Sequence, residues 1–168
     1  MTFYSYLATD RPLPAGNLGE NVRIVKFSEL PPTDDPADWR NLLDKKSLAD
    51  LADEDVRVYD TELDAVFVSL TPVDGEPADR LPVSKPFVLQ VDGIFEGNPE
   101  SVQKCTDELL AFLRGELVPG EEAELYTCLS GEEGLPRNEQ LDRDVRLEGS
   151  DVRVPLWFRD RQLVMLKR

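Results

Sequence analysis

The chain contains no histidine. That absence removes Ser-His-Asp and Cys-His nucleophilic centres, HExxH zinc sites, and the one side chain whose ordinary pKa suits proton shuttling near neutrality. Any catalysis would fall to carboxylates, Lys, Tyr, Cys, Ser or Thr. Cysteine is nearly as scarce. Two in 168 residues, with no CxxC spacing, make neither a disulfide framework nor a zinc knuckle nor a redox pair, and they suit the reducing cytosol. No apolar run approaches the roughly 18 residues of a membrane span, and "MTFYSYLATD" lacks the basic and apolar regions of a secretory signal. A cytoplasmic protein that neither spans nor docks on a membrane is expected.

Basic residues are outnumbered: 19 Lys and Arg face 34 Asp and Glu, for a net charge of −15. The acids divide evenly, 17 in residues 1–84 and 17 in residues 85–168, so they form no acidic tail. A surface this negative repels phosphate backbones and anionic head groups, which disfavours direct nucleic-acid binding. It favours solubility, cations or basic partners. Between Ser28 and Asp79 stand 15 acids and 4 bases, whereas Arg153 to Arg168 holds Arg153, Arg159, Arg161, Lys167 and Arg168 against Asp160 alone. The simplest expectation is that the C-terminal bases compensate charge on the acidic body.

What remains is an ordinary globular composition, 40% apolar and 32% charged, in a chain long enough to bury a core. Its expected fold class is α+β: a single acidic domain over residues 1–168, with a mixed, mainly antiparallel sheet packed against two or three helices. Thr2 to Thr9 and Asn21 to Phe27 read as strands, separated by "DRPLPAGNLGEN". That loop lacks the spacing of a phosphate-binding loop and precedes a strand rather than opening a helix. Asp35 and Pro36 suggest an N-cap and first helical residue, with Trp39, Leu42 and Leu43 on one face and Trp39 as a core anchor; Ser47 suggests a second cap before Leu48 and Leu51.

Two β-like runs follow, Val56 to Tyr59 and Ala65 to Leu70, and then the polar loop "TPVDGEPADRLPVSKP" with four prolines, whose Ser84-Lys85 pair forms no SxxK motif. Pro86 to Phe95 is the most apolar run and reads as a central strand, with Phe87, Leu89 and Val91 pointing one way. After it Asn98, Pro99 and Glu100 start a helix with the apolar stripe Val102, Cys105, Leu109, Phe112 and Leu113, closed by Gly115. Cys105 therefore belongs in the core. "AELYTCLSG" is a further strand. A terminal hairpin of Val154 to Phe158 and Leu163 to Leu166 is expected, its first arm placed at a sheet edge by Pro155, where a homodimer could form.

Carboxylates are the enzymatic option of substance. Asp92, Glu96, Glu132, Glu133, Asp142 and Asp144 are the candidate ligands for Mg²⁺ or Mn²⁺ in a hydrolase or phosphoryl-transfer enzyme, since a hard cation needs several converging oxygens. Cys128 shares a strand face with Glu124 and Tyr126, which makes it reachable by alternation. Yet its charged sequence neighbours are glutamates, which raise a thiol pKa, and no histidine can activate it. In "SGEEG" the glutamates are better candidates than the cysteine.

The favoured reading is a non-enzymatic binding or regulatory protein, without a cofactor, that engages a basic protein partner through its acidic surface by steering and charge complementarity. The interface candidates are Asp34, Asp35, Asp38, Trp39, Asp53, Glu54, Asp55 and Tyr59.

Overall fold

A computed structural model of the chain describes residues 3–75, 78–148 and 159–168. Nine strands form: β1 (Phe3–Thr9), β2 (Gly16–Leu18), β3 (Arg23–Lys26), β4 (Asp55–Val58), β5 (Val68–Pro72), β6 (Phe87–Asp92), β7 (Glu122–Leu129), β8 (Arg143–Arg146) and β9 (Gln162–Lys167). Two α-helices accompany them among the described residues, the short α1 (Lys45–Leu51) and the long α2 (Pro99–Glu116). The chain divides into two compact units: Met1–Glu20 with Val66–Arg168, and Asn21–Ala65. They are called here the sheet unit and the inserted unit.

The sheet unit is α+β but dominated by its sheet. Seven strands lie in the order β2-β5-β6-β1-β7-β9-β8, antiparallel throughout except for the parallel pair β8 and β9. Alternation divides every strand between two faces. Leu7, Leu89, Val91, Ala123, Leu125, Val164 and Leu166 face Cys105, Leu109, Leu110 and Leu113 of α2 in the main core. Asn98 caps that helix, its side chain accepting from Glu100 N and Ser101 N, and Pro99 opens it as expected. Gly115 does not close it: the helix runs one residue further and Leu117 is the C-cap. Of the two or three helices expected on the sheet, α2 is the one that packs there, and α1 belongs to the inserted unit.

The opposite face is also covered. Tyr6, Ala8, Val88, Tyr126, Cys128 and Leu163 pack with Leu81, and Val73, Ala78 and Val83 lie against them. The proline-containing segment after β5 thus supplies apolar side chains that seal this face rather than forming a wholly polar loop. Cys128, which alternation alone leaves reachable, has no exposed surface. A single sheet buried on both faces explains why β7 is buried along almost its whole length.

The C-terminal strand β9 is interior, flanked by β7 and β8. The other expected arm, Val154 to Phe158, and with it Pro155 and the homodimer contact, lies outside the described residues. Lys167 and Arg161 near the C-terminus pair with acids of the sheet unit, rather than with those between Ser28 and Asp79 where compensation was expected. Lys167 pairs with Asp144 at 2.6 Å and with Glu122 at 3.9 Å, and Arg161 pairs with Asp160 at 3.3 Å. Arg168 donates to the carbonyl of Leu117.

Strands β2 and β5 are register partners, Gly16 opposite Leu70 and Leu18 opposite Val68. The chain therefore leaves the sheet and returns to it at adjacent strands, and the inserted unit is the excursion between them. Gly19, at φ +73, turns the chain after β2, and a Cβ there would stand 2.5 Å from Cγ of Glu108. The glycines of "GNLGEN" thus serve a strand, a turn and a close approach to an acidic side chain, a setting hostile to phosphate.

Candidate functional site

The inserted unit carries most of the residues that the sequence marks for partner contact, and local hydrogen bonding explains how it folds. Asp38 and Asp44, rather than Asp35 and Ser47, are the helix caps. The Asp38 carboxylate accepts from Arg40 N at 2.8 Å and caps a 3-10 turn, Trp39–Leu42; Asp44 accepts from Ser47 N at 2.7 Å and caps α1. Asp35 instead closes an Asx turn, its Oδ1 accepting from Ala37 N at 2.9 Å. Five aspartates offer cap chemistry between residues 34 and 50, so local propensity leaves the boundary open by several residues.

Arg40 clamps the turn. Its Nη2 lies 2.7 Å from Asp38 Oδ2 while its Nη1 donates to the Pro31 carbonyl at 2.8 Å. The guanidinium holds the Asp38 carboxyl down at about 2, chiefly through that side-chain hydrogen bond and the backbone N–H of Arg40. Asp38 stays ionised at any physiological pH, but its oxygens are already committed.

Strands β3 and β4 form a two-stranded sheet with Val25 opposite Val56. Lys26 joins its two acidic neighbours at the end of the ladder, pairing with Asp55 at 2.8 Å and donating to the Asp53 carbonyl at 2.7 Å. Among the interface candidates, Asp35, Asp38 and Asp55 are thus occupied internally. Asp34, Asp53 and Glu54 are exposed, and their carboxylates make no hydrogen bond or ion pair among the described residues. Tyr59 is half-buried.

Trp39 is not the core anchor that its leucine spacing suggests. Its ring lies 5.8 Å from that of Phe27 and tilted 50° to it, yet 52% of the residue is exposed. Leu42 is 82% exposed and Ile24 57%. In the 3-10 turn Trp39 and Leu42, three residues apart, lie along one edge, and that edge is largely open to water. The result is an aromatic and two aliphatic side chains in water, on a unit with twelve acids against six bases.

The second set of candidates lies in the sheet unit and is dispersed. Asp92 ends β6 and accepts from Gln90 Nε2; Asp142 pairs with Arg137 at 3.3 Å and accepts from Leu163 N; Asp144 pairs with Lys167. Glu133 accepts from Gly131 N at 3.2 Å, and Glu132 N donates to the Leu129 carbonyl, so "SGEEG" is a hydrogen-bonded turn. Glu96 falls between β6 and α2. Among the described residues no group of three or more acidic or cysteine side chains can hold a metal ion.

Cys128 is inert where it stands. Burial raises its thiol pKa to about 12, and Glu133, Asp160 and Glu132 push in the same direction. The tyrosines beside it, Tyr6 and Tyr126, are likewise raised by burial. Tyr126 has no exposed surface, and among the described residues its hydroxyl finds no hydrogen-bond partner.

One buried group escapes the sequence patterns altogether. Glu124 on β7 is 4% exposed, and its two oxygens accept from Ser84 N and Ser84 Oγ, each at 2.6 Å. The signal that could have found it is its alternation with Tyr126 and Cys128. A carboxylate on a strand face that is otherwise aromatic and thiol-bearing must find donors if that face is covered.

No protein-family model, no curated protein and no solved structure matches the chain.

Proposed function

We propose that the protein is a non-enzymatic binding or regulatory module of the cytosol, and that its inserted unit engages a basic segment of a protein partner. The observation that carries this reading is the pairing of free carboxylates, Asp34, Asp53 and Glu54, with exposed Ile24, Trp39 and Leu42 on one small unit. Free carboxylates steer a cationic partner and discriminate against anionic ones; an exposed aromatic side chain can anchor it once water is excluded. The paired acids hold the unit's own turns together, which keeps the two roles separate. The carboxylate-based metal enzyme remains the other reading of the sequence, and no group of three or more acids among the described residues favours it.

The test is binding to poly-L-lysine as ionic strength rises. A triple variant neutralising Asp34, Asp53 and Glu54 to their amides should lose about tenfold in low-salt affinity, or ~1.4 kcal/mol. A control neutralising Asp74, Glu116 and Glu139 in the sheet unit removes the same charge and should lose much less. Equal losses would reduce the effect to bulk net charge and sink the proposal.

A further inference from the structure

The two faces of the seven-stranded sheet are covered by unlike means. One carries α2 and holds Cys105; the other is covered by residues 78–86 together with Val73, and holds Cys128. Within 78–86 only Leu81 is buried. Among the described residues, no backbone–backbone hydrogen bond ties 82–86 to a strand. Two fastenings through side chains of the sheet unit stand in for a ladder: Glu124 accepts from Ser84, and Asp10 pairs with Lys85. At the other end of the stretch Arg80 stands beside the loop that follows β7, since a Cβ added to Gly134 would lie 3.6 Å from Cβ of Arg80. The stretch therefore runs alongside β7 from the level of Glu124 towards that strand's C-terminal end, the direction in which Tyr126 and Cys128 follow on the same face.

We infer that residues 78–86 form a latched strap, with Glu124 as its catch, that swings clear of the sheet while the rest of the sheet unit stays folded. The catch is a buried carboxylate, and a carboxylate taken from water is tolerable only while donors replace its hydration. Ser84 supplies two such donors. When one is lost, the closed strap holds an under-satisfied charge, and opening returns water to it. Moving the strap relieves that cost without breaking the sheet, because the ladders of β1 and β7 run to each other, to β6 and to β9. A stretch with one buried residue, fastened through side chains, belongs at the low end of local stabilities. Its opening uncovers Tyr6, Tyr126 and Cys128 and leaves Cys105 sealed under α2. The inference concerns the sheet unit alone and is independent of the function proposed for the inserted unit.

The experiment labels the full chain under native conditions with an aromatic disulfide reagent, each mixed disulfide forming as one reagent thiolate leaves, and follows the two cysteines separately by mass spectrometry. The wild type should keep both thiols protected. Ser84→Ala and Glu124→Gln should each speed labelling of Cys128 at least about tenfold, while Cys105 keeps its wild-type rate. Lys85→Gln removes the second fastening and leaves Ser84 and Glu124 intact, and should act on Cys128 in the same direction by a smaller factor. Tryptic cleavage of the Arg80–Leu81 bond, which requires the strap to leave the sheet, should rise in step with labelling. Equal acceleration of both thiols would mean that the substitutions loosen the whole unit, and would overturn the strap. Faster cleavage with Cys128 still sealed, or no change at either place, would overturn it as well.

Discussion

The carboxylate of Glu124 receives both donors of Ser84, the backbone N–H and the hydroxyl, at 2.6 Å each. Their separation in sequence, 40 residues, makes this a tertiary clamp. It ties the segment that covers the second face of the sheet to β7. Beside it the ammonium of Lys85 pairs with Asp10, so two successive residues are fastened to two different parts of the sheet unit.

Glu124→Gln keeps the shape and one acceptor but gives up the charge-assisted bonds, and should cost ~1–2 kcal/mol in urea unfolding. Glu124→Ala should cost more, about 2–3 kcal/mol, because the backbone donor of Ser84 loses its partner. A double-mutant cycle with Ser84→Ala should show coupling of about 1 kcal/mol. Strict additivity of the two substitutions would mean that the clamp contributes nothing.

Cys128 predicts an alkaline instability. Its thiol is raised from 9.0 to about 12 in the fold. Above pH 9 the unfolded chain releases this proton while the folded chain keeps it, so stability falls with rising pH across that window. The limiting slope is ~1.4 kcal/mol per pH unit. Cys128→Ala should flatten the slope, whatever it costs at neutral pH. In the native state at pH 8 both thiols, Cys105 and Cys128, being fully buried, should resist an aromatic disulfide reagent and react only on unfolding. Rapid labelling of Cys128 in the folded protein would contradict its placement.

Two glycines should respond in opposite directions to the same substitution. Gly19→Ala forces a side chain into the left-handed region and against Glu108, and should destabilise by more than about 1 kcal/mol. Gly115→Ala, inside α2 with open space around it, should stabilise by ~0.5–1 kcal/mol. Thermal melts of the two variants would check both signs.

Arg161 is the one non-glycine residue at positive φ among those described, at 56°, in the turn closed by Gln162 N donating to the Arg159 carbonyl. Arg161→Gly should relieve about 1 kcal/mol of backbone strain. That exceeds the contribution expected from its exposed pairing with Asp160. A drop in melting temperature would show that the ion pair outweighs the strain.

Several elements were legible from local chemistry. Asn98 and Pro99 announced the start of α2, its apolar stripe placed Cys105 in the core, and alternation correctly divided β6 and β7 between their two faces. The inserted unit's ends were not legible: no break in composition marks Asn21 or Ala65, and what defines them is the pairing of β2 with β5, a contact across the whole excursion. The helix start near Asp35 was misplaced because neighbouring aspartates compete for the same capping role. Trp39 was misassigned because its spacing with Leu42 shows only that the two share an edge of the turn, not that another segment covers that edge.

By itself the sequence determined the chemical repertoire. A chain without histidine offers no imidazole base, nucleophile or ligand of its own, and a large excess of carboxylates gives it a strongly negative charge, and no fold can alter that. It also determined elements whose signals lie within a few residues of one another, such as the α2 cap. The tertiary structure decided which groups are accessible, because burial depends on what covers a face and not on the face's own pattern. That is why Cys128 proved sealed, Glu124 proved clamped, and Trp39 and Leu42 proved exposed. The fate of each depends on contacts with segments distant in sequence, or on their absence, and local periodicity carries no information about either.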